Sequence, residues 1–438
     1  MSRSIIVVSW NGRQYLEPCL DAALAQMDSG DELIVVDNGS TDGSPALVRA
    51  RYPDVRLIES EANQGFAGGA NLGLEAARGE ALFLLNQDVV LQGGALAAMS
   101  GALADPTVGV VGCKVLYPDG TVQHAGGVIR WPRAVADHHG VDQPDDGRWD
   151  VVQDVDYVTG AVWAFRRDVL ETVGGLDLGF WPAYYEDTDY CFRARAAGLR
   201  VVYVPGAVAI HAESTALGKG SPAYLQAFHR GRLRFVLKHL PPERVVSEFA
   251  AAERAWLTGP APAAEQSVMT RVYRSALAMA PRIYAQRQQV PPQRFRRVVD
   301  LLAGLARESA LGFELKLEGG RLSEASSTDL ERHSVVREQP FRSDRPLIGG
   351  LIAWFRTVWN NVSSRWYVLP LLQQQNAFNA RVAAHLEELS GRAVGLDRDL
   401  TALTRDVAEL THRLIQVERR LGALEARQGD EADPPPEG

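Results

Sequence analysis

The first 90 residues alternate short apolar runs with segments of helical periodicity, and this alternation constrains the fold more than any other feature. A strand–helix–strand rhythm of this kind produces a parallel sheet with helices on both faces. Ligands of such sheets bind beyond the carboxyl ends of the strands. The predicted strands are Ser4–Ser9, Glu32–Val36, Val55–Glu59 and Ala81–Leu85, and the predicted helices are Tyr15–Met27, Pro45–Tyr52 and about Gly69–Arg78.

Polar residues follow two neighbouring strands of this predicted sheet. Ser9 and Asn11 come at the end of the first strand, and Asp37 and Asn38 end the second strand. At that edge Asp37 is placed to accept hydrogen bonds from the base or the ribose of a nucleoside. The alternative is that Asp37 only forms an Asx turn before the next helix, which the sequence Asp-Asn-Gly-Ser favours.

A glycine-rich segment, Asn63 to Leu74, lies between the third and fourth strands. Glycine lets the backbone approach a phosphate or a sugar, and a helix N-terminus attracts a diphosphate; tight packing alone is the alternative. No G-x-G-x-x-G follows the first strand and no G-x-x-x-x-G-K-[ST] occurs, so dinucleotide and P-loop sites lose support. The fourth strand ends in Asn86-Gln87-Asp88, which taken alone would be an ordinary strand-end turn.

An aromatic run precedes a cluster of carboxylates in the middle of the chain. The aromatic residues are Phe180, Trp181, Tyr184 and Tyr185, and the carboxylates are Glu186, Asp187 and Asp189. Carboxylates this close repel each other unless a cation or a reaction uses them, and the flat aromatic faces would hold a sugar. The alternative is a charged helix N-terminus, where acidic residues are favoured. A helix at Cys191–Ala197, a strand at Leu199–Val204 and His211 follow.

This stretch resembles the acceptor half of inverting family 2 glycosyltransferases, in particular rhamnosyltransferase-like members. The resemblance rests on Tyr184, Tyr185, Glu186, Asp187, Asp189, Tyr190, Arg193, Gly198 and His211. It covers about residues 4–240. It implies an α/β nucleotide-diphospho-sugar transferase (GT-A type) domain with a mostly parallel central sheet, followed by an α-helical region and a C-terminal coiled coil.

The resemblance also implies roles for individual residues. Asp187 would be the catalytic base, Glu186 would orient the acceptor or the base, and Trp181, Tyr184 and Tyr185 would bind the acceptor. Donor binding is predicted for Ser9, Asn11, Asp37, Asn38, Asn63, Gly65, Phe66, Asn71 and Asn86. Asp88 and His211 would hold Mg²⁺ or Mn²⁺, although Asn86 stands where the family's motif has its first Asp. The rival role for His211 is a core or acceptor-site histidine.

The implied reaction moves a sugar, with rhamnose favoured, from dTDP-rhamnose or a UDP-sugar to a cell-surface glycan or a polyprenyl-linked acceptor. Two other classes compete with it. A sugar nucleotidyltransferase shares the fold but would need a G-G-x-G-x-R-x-x-P-type loop near the N-terminus, which is absent. A non-catalytic scaffold with a degenerate transferase domain is the second, and the joint presence of Asp37, Asp88, Glu186, Asp187 and His211 argues against it.

Six segments are predicted along the chain. They are a transferase domain at 1–240, a helical extension at 241–318, a linker at 319–346, an amphipathic segment at 347–375, a coiled coil at 376–428 and a disordered tail at 429–438. Within the fourth segment, residues 347–372 combine Trp with Arg356 and Arg365, which suits a membrane interface, and packing on the catalytic domain is the alternative.

Apolar residues from Leu386 to Leu424 recur at spacings of three and four, as in a coiled coil. Arg413 and Glu418 fall at g and following e positions, which suits parallel chains. We therefore predict a parallel homodimer, with a trimer as the alternative and packing onto the chain's own domain as the rival to both.

The amino-acid composition bears on which partners the protein binds and on the compartment in which it works. A net charge of -8 and a pI near 5.7 argue against a nucleic-acid partner. Cys19, Cys113 and Cys191 fit neither a disulfide framework nor a zinc site, which favours a reducing compartment. We expect no signal peptide and no bilayer-spanning run. The predicted location is cytoplasmic, with peripheral contact at the inner face of the cell membrane.

Overall fold

The structure, a computed structural model, describes residues 1–213, 218–287, 290–319, 375, 396 and 399–419. Its strands are β1 (Arg3–Ser9), β2 (Glu32–Asp37), β3 (Arg56–Glu59), β4 (Ala81–Asn86), β5 (Val89–Leu91), β6 (Val108–Leu116), β7 (Val122–His124), β8 (Gly127–Arg130), β9 (Val135–His138), β10 (Gln153–Asp154), β11 (Val162–Arg166) and β12 (Arg200–His211). Its first helices are α1 (Arg13–Leu24), α2 (Ser44–Arg51), α3 (Gly65–Ala76), α4 (Ala95–Leu103), α5 (Arg167–Val173) and α6 (Glu186–Ala196).

The later helices are α7 (Pro222–His239), α8 (Pro242–Arg244), α9 (Ala250–Thr258), α10 (Ala263–Gln286), α11 (Pro292–Gly319) and α12 (residues 399–419). A π-helical turn at Val245–Phe249 joins α8 to α9, and a short 3₁₀ helix occupies Leu178–Phe180. Among the described residues no helix is both long and apolar enough to cross a bilayer.

The central sheet has the strand order β10-β12-β6-β11-β4-β1-β2-β3. Strands β3, β2, β1 and β4 run parallel to one another, and β12 runs parallel to β6, whereas β11 is antiparallel to both β4 and β6. Every residue of β1 is buried because neighbouring strands and helices cover it on both edges and both faces. The predicted α/β class, with a mostly parallel sheet followed by a helical region, is confirmed.

The hydrophobic core lies on both faces of the sheet, because successive side chains of a strand point to opposite sides. Ile6 and Val8 belong to the cluster on one face, and Ile5 and Val7 belong to the cluster on the other. The first cluster continues without a break into the helical region, where it includes residues as distant as Leu305. The predicted boundary at residue 240 therefore falls inside one continuous core.

Some predicted element limits differ from the structure. Helix α3 begins at Gly65 rather than near Gly69, because Gly65 adopts a φ of +75°, which turns the chain into the helix. Helix α6 begins at Glu186, so the carboxylate cluster lies in its first turn and not before it. The segment 114–149 contains the short strands β7, β8 and β9. Residues 347–372 and most of 376–398 lie outside the described residues.

Candidate active site

The carboxyl ends of three adjacent parallel strands bring the first site residues together. Ser9 pairs with Asp37 in the register of β1 and β2, and Val8 pairs with Asn86 in that of β1 and β4. The loops after these strands are tied across the edge of the sheet. The Ser9 hydroxyl and the backbone N–H of Trp10 both donate to Oε1 of Gln87, each at 2.9 Å.

Asp37 has one carboxylate oxygen without a partner among the described residues. Its Oδ2 accepts from the backbone N–H of Ser40 at 3.0 Å, whereas Oδ1 is buried and receives no hydrogen bond there. The side chain is 3% exposed. An unpaired buried acceptor costs free energy, so Oδ1 is a strong site for an N–H or hydroxyl donor of a ligand. Asn11 supports this loop, since its Oδ1 accepts from the backbone N–H of Thr41 at 2.8 Å.

The glycine-rich segment is held by side-chain amides. The Asn38 amide nitrogen donates to the backbone oxygen of Gly65 at 3.0 Å and to Oδ1 of Asn63 at 3.2 Å. Asn63 Oδ1 also accepts from the Gly65 backbone N–H at 2.8 Å. Asn38 and Asn63 thus shape the start of α3, and their predicted contact with a donor stays a prediction.

The same segment touches the aromatic run. A Cβ on Gly65 would lie 2.8 Å from both the backbone oxygen of Pro182 and a ring carbon of Trp181, so only glycine fits. The backbone N–H of Phe66 donates to the oxygen of Pro182 at 3.1 Å. The predicted donor and acceptor segments are therefore adjacent in space.

Asn71 fixes the loop before α6. Its amide nitrogen donates to the backbone oxygen of Leu176 and its Oδ1 accepts from the Leu176 N–H, both at 2.9 Å. A Cβ on Gly175 would approach that same Oδ1 to 2.7 Å. The predicted contact of Asn71 with the donor stays a prediction.

Asp88 and His211 lie side by side, as predicted. Strand β12 pairs with β5 so that His211 is opposite Val89, and this register puts His211 Nε2 3.2 Å from Oδ1 of Asp88. On the other side of the ring, Nδ1 lies 2.6 Å from Oε1 of Gln123. A neutral ring with its proton on Nδ1 would donate to the Gln123 oxygen and point its Nε2 lone pair toward Asp88, an arrangement that suits a cation held between the two.

With Asp88 and His211 as its two protein ligands, a cation would take its remaining ligands from the substrate and from water. Across the described ranges, no three His, Cys, Asp or Glu side chains gather closely enough to hold a metal. Mg²⁺ is commonly bound by one or two carboxylates together with substrate phosphates and waters. The Asp88–His211 pair fits a cation that arrives with a diphosphate, and it does not fit a closed structural site.

The first turn of α6 carries the two predicted catalytic carboxylates. Asp187 Oδ2 accepts from the backbone N–H of Gly160 at 2.7 Å, and Oδ1 accepts from that of Thr188 at 2.6 Å. A Cβ on Gly160 would lie 3.2 Å from Oδ2, which explains a small residue there. Glu186 is buried, and its Oε2 has no hydrogen-bond partner within the part of the chain that the structure describes.

Burial changes the acidity of both groups. Burial and then the charge of Asp187 hold the pKa of Glu186 well above its ordinary value. Burial also raises the pKa of Asp187, although the hydrogen bonds from Gly160 and Thr188 oppose it. Of the two, Asp187 receives the hydrogen bonds that stabilise an anion, so the pair holds one proton mainly on Glu186.

The third carboxylate, Asp189, is structural. It is fully buried and accepts from Arg193 at 2.9 Å and from His239 at 2.7 Å, with Lys238 Nζ also 2.7 Å away. Burial alone would raise its pKa, but the hydrogen bond from His239 and the charges of Lys238 and Arg193 lower it. Helix α7 thus fixes α6 from outside the site, a role that the sequence did not reveal because the partners lie 49 and 50 residues away.

The predicted acceptor aromatics occupy different environments. Trp181 is 55% exposed, and Tyr184 is partly buried, with its ring edge-on to Tyr224 at 5.0 Å. Tyr185 is 3% exposed, and its hydroxyl donates to the oxygen of Ala134 and accepts from the N–H of Ala136, both at 2.9 Å. The Tyr185 ring is therefore part of the core in this structure, and its predicted contact with the acceptor stays a prediction.

Gln123 is the residue that sequence analysis missed. It is 88 positions from His211, and no motif surrounds it, so only the pairing of β6 with β7 and β12 brings the two together.

Comparison with known proteins gives a family match for part of the chain. Residues 4–174 match the family described as Glycosyl transferase family 2, a range that ends before Glu186, Asp187 and His211. The chain is 27% identical over 261 residues to the N-acetylglucosaminyl-diphospho-decaprenol L-rhamnosyltransferase of Mycobacterium tuberculosis, covering 53% of this chain and 83% of that protein.

Two further relatives are longer than this chain. It is 32% identical to the uncharacterized protein y4gI of Sinorhizobium fredii over 49% of this chain and 25% of that protein. It is 33% identical to the O-antigen biosynthesis protein RfbC of Myxococcus xanthus over 48% of this chain and 17% of that protein. The chain thus spans a quarter or less of the length of these two.

Proposed function

Because residues 4–174 form a glycosyltransferase family 2 domain, we propose that the protein is an inverting glycosyltransferase that uses a nucleotide-diphosphate sugar. The observation that carries this proposal is the Glu186–Asp187 pair at the start of α6, in which Glu186 is buried and Asp187 is half-buried beside Gly160. Two adjacent carboxylates whose pKa values are both raised by their surroundings are suited to proton transfer, and a purely structural pair would have found cationic partners, as Asp189 has. The related M. tuberculosis protein favours L-rhamnose as the sugar, and hence dTDP-rhamnose as donor, with a UDP-sugar as the second candidate.

Donor binding would use the edge formed by β1, β2 and β4. The unpaired Oδ1 of Asp37 accepts an N–H from the nucleoside base or a ribose hydroxyl. The diphosphate would lie toward the N-terminus of α3, where the helix dipole favours an anion; the N–H groups of Gly65 and Phe66 there already donate to Asn63 and Pro182. Ser9, Asn11, Asn38, Asn63, Gly65, Phe66 and Asn86 line or shape this edge.

The acceptor is a sugar hydroxyl of a cell-surface glycan or of a polyprenyl-diphosphate-linked saccharide, which the names of two relatives support. Trp181 offers an exposed ring face for that sugar. Asp187 takes the hydroxyl proton as the oxygen attacks the anomeric carbon from the side opposite the diphosphate. Glu186 keeps its own proton and donates a hydrogen bond that orients the acceptor or Asp187.

Asp88 and His211 would hold Mg²⁺ or Mn²⁺, with Gln123 fixing the orientation of the imidazole ring. When bound, such a cation neutralises the charge that develops on the departing diphosphate. The chain's own contribution is to keep both ligands in place before the donor arrives. The predicted membrane contact of residues 347–372 lies outside the described residues, and a lipid-linked acceptor would make that contact useful.

One assay separates the proposed function from its two rivals. Purified protein with Mn²⁺ is given a panel of nucleotide sugars and a polyprenyl-diphosphate-linked N-acetylglucosamine, and nucleotide release is followed. We expect acceptor-dependent release of a nucleoside diphosphate. Formation of a nucleoside triphosphate from pyrophosphate would identify a nucleotidyltransferase, and no turnover of any donor would support a scaffold.

Asp37→Asn tests the donor site. The change keeps an acceptor for Ser40 but presents an NH₂ group to the ligand, so we expect donor affinity to fall roughly tenfold to a hundredfold. Titration calorimetry with dTDP, UDP and GDP measures it, and the nucleotide most affected reports which base the carboxylate binds. Unchanged affinity for all three would remove Asp37 from the donor site.

Asp88→Ala tests the cation site. We expect the nucleotide diphosphate to bind with the same affinity in the presence and absence of Mn²⁺, because one of two protein ligands is lost. The matched control is Asp54→Ala, an exposed aspartate in the loop before β3 at the opposite edge of the sheet. If Mn²⁺ still increases nucleotide affinity in the Asp88 variant as in the native protein, Asp88 is not a ligand.

A further inference from the structure

Helix α12 is attached to the helical region by one side only. On that side Thr401, Ala408 and His412 are buried, and the His412 ring stacks on Phe295 with 3.9 Å between centroids. Arg274 Nε donates to the Thr401 hydroxyl at 2.7 Å. Two ion pairs complete the attachment, Arg405 with Asp300 at 2.7 Å and Arg296 with Glu409 at 2.6 Å.

The opposite side of α12 is apolar and faces solvent. It carries Leu400, Leu403, Val407, Leu410, Leu414 and Val417, which we call the apolar seam; these side chains are between 51% and 63% exposed. At 100° per residue, the seam and the buried positions Thr401, Ala408 and His412 lie on opposite sides of the helix. Over residues 399–419 the seam therefore does not pack onto the chain's own domain, which was the alternative to self-association.

The form of the seam points to one kind of partner. Its residues are spaced alternately three and four apart, which gives an average period of 3.5 residues, the period of a left-handed coiled coil. The same spacing continues in the sequence through Leu421 and Leu424. A helix with the same repeat is needed to fill it, and a second copy of this chain supplies one.

The flanks of the seam agree with a parallel pair. In that arrangement, the g position of one chain faces the following e position of the other. Arg413 then faces Glu418, while Asp399 and Asp406 face Thr404 and Thr411, so no like charges meet. Arg413 is 62% exposed and pairs with Glu409 of its own helix at 2.6 Å, so in the dimer it would share Glu409 with Glu418 of the second copy or exchange one for the other.

We propose that the apolar seam is the dimerisation surface of this protein and joins two copies in parallel. Since the polar side of α12 is fastened to α10 and α11, the coiled coil is part of the folded body. The two transferase domains would then lie on opposite sides of a shared helix pair, in a fixed relation to each other.

Light scattering coupled to size-exclusion chromatography of the full chain tests this proposal. We expect twice the chain mass of 47.8 kDa at micromolar concentration. The double variant Leu403→Glu, Leu410→Glu puts charge into the seam and should elute at the single-chain mass. The matched control Ala402→Glu, Gln416→Glu adds the same charge off the seam and should remain dimeric, with all three proteins sharing one circular dichroism spectrum.

Chain direction is tested separately with Leu414→Cys. In a parallel pair this a position faces its own copy, so mild oxidation should give a disulfide-linked dimer on a non-reducing gel; Cys19, Cys113 and Cys191 are buried and do not compete. A native protein that runs as a monomer or a trimer, or a seam variant that stays dimeric, would overturn the proposal. A dimer without cross-linking of the Leu414 variant would overturn the parallel direction.

Discussion

Asp187→Asn should reduce kcat by about 10²–10⁴-fold while leaving donor affinity almost unchanged, because a general base acts in the transition state and not in donor binding. Asparagine keeps one oxygen for the Gly160 N–H but leaves the Thr188 N–H without its acceptor. The same change should therefore alter the melting temperature little, because removal of a destabilising charge offsets the lost hydrogen bond. The folded protein holds the pKa of Asp187 above its ordinary value, so at neutral pH this ionised group destabilises the fold.

The control is Asp189→Asn, the same substitution two positions along α6. It removes the counter-charge of Lys238, Arg193 and His239, so we expect a lower melting temperature, with turnover retained in the folded fraction. We measure kcat, donor affinity and melting temperature for both variants. If the assignment is correct, the Asp187 variant loses turnover and keeps its stability, whereas the Asp189 variant loses stability and keeps its turnover. Retained turnover in the Asp187 variant, or loss of donor binding equal to the loss of turnover, would contradict it.

The pH dependence follows with a definite sign. A base must be deprotonated to act, so kcat/KM should fall on acidification through a pKa above the ordinary 3.8 of an aspartate. Glu186 keeps its proton, so Glu186→Gln changes no charge beside Asp187. The midpoint of the fall in kcat/KM should therefore be nearly the same in the native enzyme and in this variant, and a large difference between them would mean that Glu186 is ionised.

Glu253→Gln should destabilise the protein by about 3–5 kcal/mol, because it leaves a fully buried arginine without its counter-charge. Glu253 accepts from both terminal nitrogens of Arg232, at 3.0 and 2.5 Å, and from Arg133 and the Tyr273 hydroxyl at 2.9 and 2.8 Å. Arg232 and Glu253 are each 0% exposed. Urea unfolding followed by fluorescence measures the loss.

A control variant and a pH series test whether the loss of stability comes from the buried ion pair. Glu248→Gln breaks an exposed pair with Arg244 on the neighbouring turn and should leave the unfolding midpoint unchanged. Burial would raise the pKa of Glu253, but Arg232 and Arg133 lower it to about 2, so its stabilising effect is complete above the ordinary 4.5. The difference between native protein and the Glu253 variant should therefore shrink as the pH falls from 4.5 toward 2, and a constant difference would contradict the ion-pair explanation.

What the sequence predicted well depended on local pattern. Alternating apolar runs identified the sheet, and the carboxyl-end rule placed Asp37 and Asn86 at one edge, because strand order there follows directly from the alternation. The Asp88–His211 pair was predicted by resemblance, and the register of β5 with β12 brings it together.

What the sequence did not reveal depended on contacts between distant parts of the chain. Tyr185 and Tyr184 are identical and adjacent in sequence, yet Tyr185 is enclosed by the hairpin of β8 and β9 and by the rings of Phe228 and Phe235 in α7. Asn71 reaches Leu176 across 105 positions, and Gln123 reaches His211 across 88. No periodicity or motif marks such pairs, because each partner meets the other only after the sheet has formed.

Helix α7 has a consequence for the exchange of parts between related enzymes. Arg234 and Lys238 hold Asp177 and Asp189 on the catalytic side, while Arg232, on the same helix, pairs with Glu253 in α9. A hybrid that joined residues 1–240 of this chain to the C-terminal half of a relative would bury Arg232 beside whatever residue that relative has in place of Glu253. Recombination within such enzymes is therefore expected to preserve α7 and α9 as a matched set, with crossovers tolerated earlier, in the exposed segment between β9 and β10.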